Sequence, residues 1–203
     1  GKYFCDSCIK MIQIILETEA ICPMCGRAAL DGRTHPRCQT RYGLDGLTSF
    51  FRYRGVVTEA IKVIKYRLAF DTAAAFVDLV PRSALPSQKS HNILIPIPLH
   101  NSRFRERGFN QAEVLGKHIC RHLNIPMATD VLVRKRRTVP QVEMKDRDKR
   151  LNNMANVFAV KNPPPHQVLL FDDVFTTGAT MRSAANVLKR AGATWVWAVT
   201  MAR

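Results

Sequence analysis

Two aspartates close an apolar run in VLLFDDVFTTGAT, residues 168–180. Carboxylates accept hydrogen bonds from vicinal hydroxyls or position a hydrated Mg2+; they do not bind phosphate. The residues just after them have the opposite preference. Thr176, Thr177, Gly178, Ala179 and Thr180 offer hydroxyls and unobstructed backbone N–H groups, and Gly178 permits a tight turn or a positive φ. A helix beginning there adds unpaired N–H donors and the positive end of its dipole. A ligand with a phosphate at one end and a diol beside it is a ribose 5-phosphate. Asp172 and Asp173 are therefore the candidate catalytic pair, and residues 176–180 the candidate 5-phosphate cradle.

A second anion site is read from PIPLHNSRFRERGFNQ, residues 96–111. A strand ending in a Pro-rich turn at Pro98, Leu99 and His100 is followed by Arg103, Arg105 and Arg107, whose planar forks suit phosphate oxygens. A third set is metal-like. CDSC at 5–8, CPMCG at 22–26 and HPRC at 35–38 each place two ligands around a tight turn, the spacing that Zn2+ takes. The best internal quartet is Cys22, Cys25, His35 and Cys38. A rival is Cys5, Cys8, Cys22 and Cys25. Either would be structural, since all four ligands come from protein.

These residues need a scaffold, and the apolar patterning supplies one. A strand is expected from Leu47 to Tyr53. A helix should follow, with Thr58 as N-cap and Ile61, Ile64 and Leu68 on its apolar face, then a second helix over 72–80. HNILIPIPL reads as a buried strand entering a turn. FNQAEVLGKHICRHLN reads as a helix capped by Asn110, with Cys120 a core residue. Residues 134–156 read as a mobile basic loop or hairpin, and VFAV as a short strand. QVLLFDD, TMRSAANVLKRAG and TWVWAVTMA make a strand–helix–strand unit of a parallel sheet, with Gly192 near the helix stop. The expected organisation is a Cys-rich module over 1–45 and an α/β domain over 46–203.

Composition narrows the partners. Lys plus Arg number 31 against 16 acidic residues, a formal charge of +15, which favours polyanions. RKRRTVPQVEMKDRDKR, residues 134–150, carries eight cations against three acids; Arg134, Lys135, Arg136 and Arg137 are its candidate contacts to nucleic-acid backbone. No apolar run of about eighteen residues exists, so no membrane span is expected. No secretion signal is read either, and the abrupt start at Gly1 suggests a missing N-terminal piece or a tag remnant at Gly1.

The stretch 168–180 resembles the phosphoribosyl pyrophosphate (PRPP) signature of type I phosphoribosyltransferases. IPIPLHNSRFRERGFNQAEVL, FFRYRGVVTEAIKVIKYR and TVPQVEMKDRDKRLNNMANVFAV resemble stretches of the ComF family of competence-associated phosphoribosyltransferase-like proteins. The resemblance implies a twisted, mainly parallel sheet flanked by helices, with a small N-terminal zinc module and a hood loop over the site. It implies ribose hydroxyls on Asp172 and Asp173, the 5-phosphate on residues 176–180, Mg2+ arriving with PRPP, and hood residues Thr138, Gln141 and Arg150 near the site. It implies a second zinc site completed by a Cys-x-x-Cys upstream of Cys5 and Cys8; this sequence departs from that pattern, lacking the upstream pair and carrying His35 where the family has a cysteine. It further implies a cytoplasmic protein tied to DNA uptake in natural transformation, acting beside single-stranded DNA and helicase or translocase machinery. The residues leave three activities open: a DNA-linked phosphoribosyltransferase, a nucleobase salvage enzyme, and a non-catalytic PRPP-sensing module.

Overall fold

Strands that are buried on both faces read as unbroken apolar runs, and two such runs form the centre of this fold. The computed structural model describes residues 3–66, 70–85, 92–135 and 157–203. Six strands are described: β1 (Gly46–Phe51), β2 (Ile93–Pro96), β3 (Leu132–Arg134), β4 (Phe158–Val160), β5 (Gln167–Val174) and β6 (Trp195–Ala202). The described helices are α1 (Asp6–Met11), α2 (Val56–Tyr66), α3 (Phe70–Val77), α4 (Asn101–Arg107), α5 (Gln111–Leu123) and α6 (Ala179–Arg190). The main sheet has the order β1-β6-β5-β2, and every neighbour in it is parallel. β3 and β4 pair antiparallel as a separate ribbon.

Alternation along β5 divides the core between two faces. Leu169 and Phe171 join Val199 and Met201 of β6 against Ile61 and Ile64 of α2, Phe76 of α3 and Leu115 and Ile119 of α5. Val168 and Leu170 join Val196 and Ala198 against Met181, Ala184 and Leu188 of α6 and Leu132 and Phe158 of the ribbon. Parallel pairing then brings all the carboxyl ends of the strands to one edge. Pro96 lies opposite Phe171, and the Ile97 amide donates to the Phe171 carbonyl at 2.8 Å. The chain leaving β2 therefore passes directly beside the acids that end β5, the usual ligand position in open α/β sheets.

The structure has the parallel sheet flanked by helices that the sequence suggests, with differences at several ends. α2 opens at Val56 rather than after Thr58, because the turn at Gly55 (φ 52°) starts the helix three residues earlier. Leu68, expected on its apolar face, lies outside the described residues. α3 lies at Phe70–Val77, two residues before the expected start. α4 is a helix where a loop was expected. His100 caps it by accepting from the Ser102 amide, and Gly108 ends it with φ 77°. β3 was also unforeseen, and most of the expected basic loop, 136–156, falls outside the described residues. Asn110 caps α5 as expected, and Cys120 is buried, its thiol pushed up to about 12 by that burial.

Candidate functional site

β5 delivers the two acids to opposite sides because successive strand residues alternate. Asp173 is 5% exposed, and its Oδ2 lies 2.5 Å from Lys65 Nζ at the end of α2. Asp172 is half-buried, and its Oδ1 accepts from the Asp173 amide at 2.9 Å. Burial, then the adjacent Asp173 charge, pushes the Asp172 carboxyl well above the usual aspartate range; Lys65 pulls the other way. A carboxyl held up in this way marks negative potential without enough compensation. Hydroxyl donors or a hydrated Mg2+ suit such a place.

The 5-phosphate candidates sit at the join of β5 and α6. Thr176 and Thr177 are exposed, Gly178 is buried, and Ala179 and Thr180 are half-buried. Gly178 is the N-cap of α6 at φ 71°. A Cβ there would come 2.5 Å from the Phe175 ring and 2.9 Å from Arg182 Nη1, so both the backbone angle and the space demand glycine. Thr177 Oγ1 accepts from the Ala179 amide at 3.4 Å. The loop therefore presents a helix N-terminus beside the acids, with two side-chain hydroxyls at its rim.

On the β2 side, Pro98, Leu99 and His100 form the half-buried turn next to the acids. His100 spends its Nδ1 on the cap of α4, with Ser102 Oγ 2.8 Å away. The arginines of α4 divide. Arg105 is exposed. Arg107 donates to Gln111 Oε1 at 3.1 Å and lies 5.1 Å above the Tyr66 ring. Arg103 is half-buried and close enough to Arg134 to lower that guanidinium's pKa, which burial lowers first and Asp172 raises. Arg134 is half-buried at the end of β3, 5.4 Å over the Phe158 ring. Its electrostatic neighbour is thus the acid at the crevice, not open solvent. Lys135 beyond it is exposed. Arg136, Arg137, Thr138, Gln141 and Arg150 lie outside the described residues.

The cysteine knuckles form one cluster. Ligand atoms of Cys22, Cys25, His35 and Cys38 all lie within 4.8 Å of one another, the one such group of three or more among the described residues. The rival quartet is not formed. Cys5 and Cys8 stand as a separate pair, their sulfurs 3.3 Å apart at the start of α1. The turn at Gly26 (φ 72°) closes the first knuckle, its amide donating to the Cys22 carbonyl at 2.9 Å. His35 Nε2 is 2.9 Å from the Ala28 carbonyl, which fixes the proton on Nε2 and leaves the Nδ1 lone pair facing Cys25 Sγ at 3.4 Å. Burial, then the adjacent Cys25 and Cys22 sulfurs, pushes the Cys38 thiol up to about 11. Three crowded sulfurs and one oriented imidazole are a donor set that could hold Zn2+, whose charge would relieve that crowding.

Two residues at this edge were not singled out from sequence. Lys65 lies four residues after the buried Ile61, so helical spacing already places it on the inward face of α2. Arg182 was read only as part of a helix. It donates to the Thr177 carbonyl at 2.8 Å, and no local pattern announces that contact.

Residues 110–203 match the phosphoribosyl transferase domain family. The chain is 36% identical over 102 residues to competence protein F of Haemophilus influenzae, a match covering 49% of this chain and 44% of that protein. It is 28% identical to DNA utilization protein YhgH of Salmonella typhimurium, over 95% of this chain and 86% of that one. Competence protein ComFC of Bacillus subtilis is 30% identical over 201 residues, 94% of this chain and 78% of that protein. A match of that reach, on a parallel α/β sheet with the Cys/His cluster beside it, places the chain in the ComF family of phosphoribosyltransferase-like proteins.

Proposed function

We propose that the crevice at the carboxyl ends of β2 and β5 binds PRPP with Mg2+, and that the protein serves DNA uptake in natural transformation as a phosphoribosyltransferase-like factor. In this reading Asp172 and Asp173 take the ribose hydroxyls, residues 176–180 take the 5-phosphate, and Pro98–His100 with Arg103 and Arg105 face the pyrophosphate. Lys65 joins them as the cation already held at the acids. Residues 1–45 act as a zinc module and 46–203 as the ribosyl-phosphate domain, working in the cytoplasm on single-stranded DNA beside a helicase or translocase. Support for the DNA link comes from relatives named for competence and for DNA utilization.

One observation carries the site reading. A half-buried carboxyl with a raised pKa stands at the end of a strand whose next turn is a glycine-opened helix N-terminus. The first group suits a diol and the second a phosphoryl group, and Gly178 follows Asp172 by six residues. In the transfer, the C1–oxygen bond to pyrophosphate breaks and a bond from C1 to the acceptor forms. Pyrophosphate leaves with its electron pair, and the acceptor gives up a proton. Mg2+ would come chelated by the pyrophosphate, neutralising the leaving group. The protein's part is to orient the ribose and to exclude water.

Titration calorimetry with Mg2+–PRPP, paired with a pyrophosphate-release assay with and without single-stranded DNA, tests this. The wild type should bind PRPP, and Asp172→Asn with Asp173→Asn should weaken it by at least about tenfold while single-stranded DNA binding is retained, since each lost charge-assisted bond contributes roughly 1.5–3 kcal/mol. Unchanged PRPP affinity in the double variant overturns the assignment of the acids. Release driven by a free nucleobase instead of DNA moves the protein to salvage.

A further inference from the structure

Arg182 connects the two sites that sequence treats as unrelated. It stands in the first turn of α6, its amide donating to the Gly178 carbonyl at 2.9 Å. Its Nη1 donates to the Thr177 carbonyl at 2.8 Å and reaches the Pro23 carbonyl at 3.4 Å. Pro23 lies inside the first knuckle, between Cys22 and Cys25. The contact thus spans 159 residues of sequence. Between knuckle and loop lies a cavity of about 360 Å³, lined by Pro23, Met24, Cys25, Phe175, Thr177 and Arg182 among others.

The geometry gives this contact a consequence for anion binding. A peptide unit is planar and trans, so its carbonyl and its N–H point in opposite directions. Holding the Thr177 carbonyl toward Arg182 fixes the direction of the Gly178 N–H, one of the donors at the opening of α6. Arg182 can hold that carbonyl only from its present place, packed with Phe175 where Gly178 lacks a Cβ. The Pro23 carbonyl is the second anchor of the guanidinium. Pro23 sits in the Cys22–Cys25 turn, which the Gly26 amide closes on the Cys22 carbonyl at 2.9 Å, and a metal shared by the two sulfurs would hold that turn in place.

We propose that Arg182 is a positioning residue that couples metal binding at Cys22, Cys25, His35 and Cys38 to sugar-phosphate binding at residues 176–180. The metal shapes the knuckle, the knuckle anchors the guanidinium, and the guanidinium orients the Thr177–Gly178 peptide. Thermodynamic linkage makes this reciprocal: whatever factor the metal contributes to ligand affinity, the ligand returns to metal affinity. The inference rests on the 5-phosphate reading above.

The test uses the full chain loaded with Zn2+ or Co2+, and ribose 5-phosphate as probe. Arg182→Met should retain the metal and bind ribose 5-phosphate about tenfold more weakly, within the usual range of such couplings. Arg182→Lys, which can reach one carbonyl but not both, should fall between. In the Co2+ protein, ribose 5-phosphate should shift the visible metal band of the wild type and leave that of Arg182→Met unmoved. Saturating ribose 5-phosphate should also slow metal transfer from the wild type to a chelator. Equal ribose 5-phosphate affinity in wild type and Arg182→Met, or ligand with no effect on the wild type's metal band and metal loss, overturns the coupling alone. No binding of ribose 5-phosphate by the metal-loaded wild type overturns the 5-phosphate reading and the coupling together. Should Arg182→Met fail to fold, Arg182→Lys and the two wild-type metal measurements decide.

Discussion

The fold disfavours the ionised form of Asp172. Its carboxyl pKa is raised by burial and by the Asp173 charge. A carboxyl whose pKa is higher folded than unfolded binds its proton more tightly in the fold, so ionisation works against folding. Stability referable to Asp172 is complete below the ordinary aspartate value near 4 and is lost as pH rises through the raised folded value. Asp172→Asn keeps an oxygen for the Asp173 amide and removes the charge. It should therefore raise the melting temperature of the ligand-free protein at pH 7.5, by about 1 kcal/mol or roughly 2–4 °C for a chain of this size, and the gain should vanish toward pH 4. Thermal scans across that range check the sign: a loss of stability at pH 7.5 would mean that Lys65 compensates both acids. The same substitution should weaken binding of the proposed ribose ligand, because the amide keeps an acceptor but loses the charge. Under the proposed function, the charge of Asp172 serves the ligand at the expense of the fold, a trade seen at other functional sites.

At the scale of elements, the turn from β2 into α5 shows how a cap can also hold a site. Asn110 is 8% exposed. Its Oδ1 accepts from the Ala112 amide at 3.1 Å, and its Nδ2 donates to the Ile97 carbonyl at 3.0 Å, just before Pro98. A surface cap lost to alanine costs about 1 kcal/mol. Asn110→Ala also leaves the buried Ile97 carbonyl without that donor, so the cost should reach about 2–3 kcal/mol. A lower denaturant midpoint at unchanged slope would show it. The cap itself was legible in sequence, because Asn precedes a run with apolar residues at helical spacing. The crossover from β5 through α6 to β6 was equally legible, its strands being continuous apolar runs ended by a glycine signal. α4 was not, since His is an uncommon cap and three arginines in seven residues resemble a loop. Its stop at Gly108 was there to be read. Spacing made Cys22, Cys25, His35 and Cys38 the best internal quartet but left the rival with Cys5 and Cys8 open, whereas Lys65 against Asp173 and Arg182 against Pro23 join residues 108 and 159 apart in sequence, which only the fold brings together.

For the whole molecule, the question is whether the Cys-rich segment unfolds by itself. No helix among the described residues is long and apolar enough to cross a membrane, and two buried apolar layers cover the faces of the sheet. The Cys-rich segment contributes to one of them. Phe4 lies in the same cluster as Phe76, ring centroids 5.9 Å apart. Ile14 bridges Phe51, and the Arg52 amide donates to the Gln13 carbonyl at 2.9 Å. Glu19 pairs with Arg52, and its carbonyl accepts from Arg203. Arg33 bridges Gly46, and the Asp45 amide donates to the Val196 carbonyl at 2.9 Å. An independently melting module would need few such crossings. These reach both the edge strand and the chain's last residue, so metal loss and sheet melting should form one transition. Trp195 and Trp197, the chain's two tryptophans, both stand on β6 and report the sheet alone. A chromophoric chelator reports the metal alone. On heating the zinc-loaded protein, the two signals should change together, and prior removal of zinc should lower that single midpoint. A metal present at about a thousandfold over its Kd stabilises by roughly 4 kcal/mol, which for a chain of this length means a fall of roughly 8–16 °C. Zinc released well below the tryptophan transition, with the tryptophan midpoint unmoved by zinc removal, would instead make residues 1–45 a separately folding unit and the contacts to β1 and Arg203 incidental to its stability.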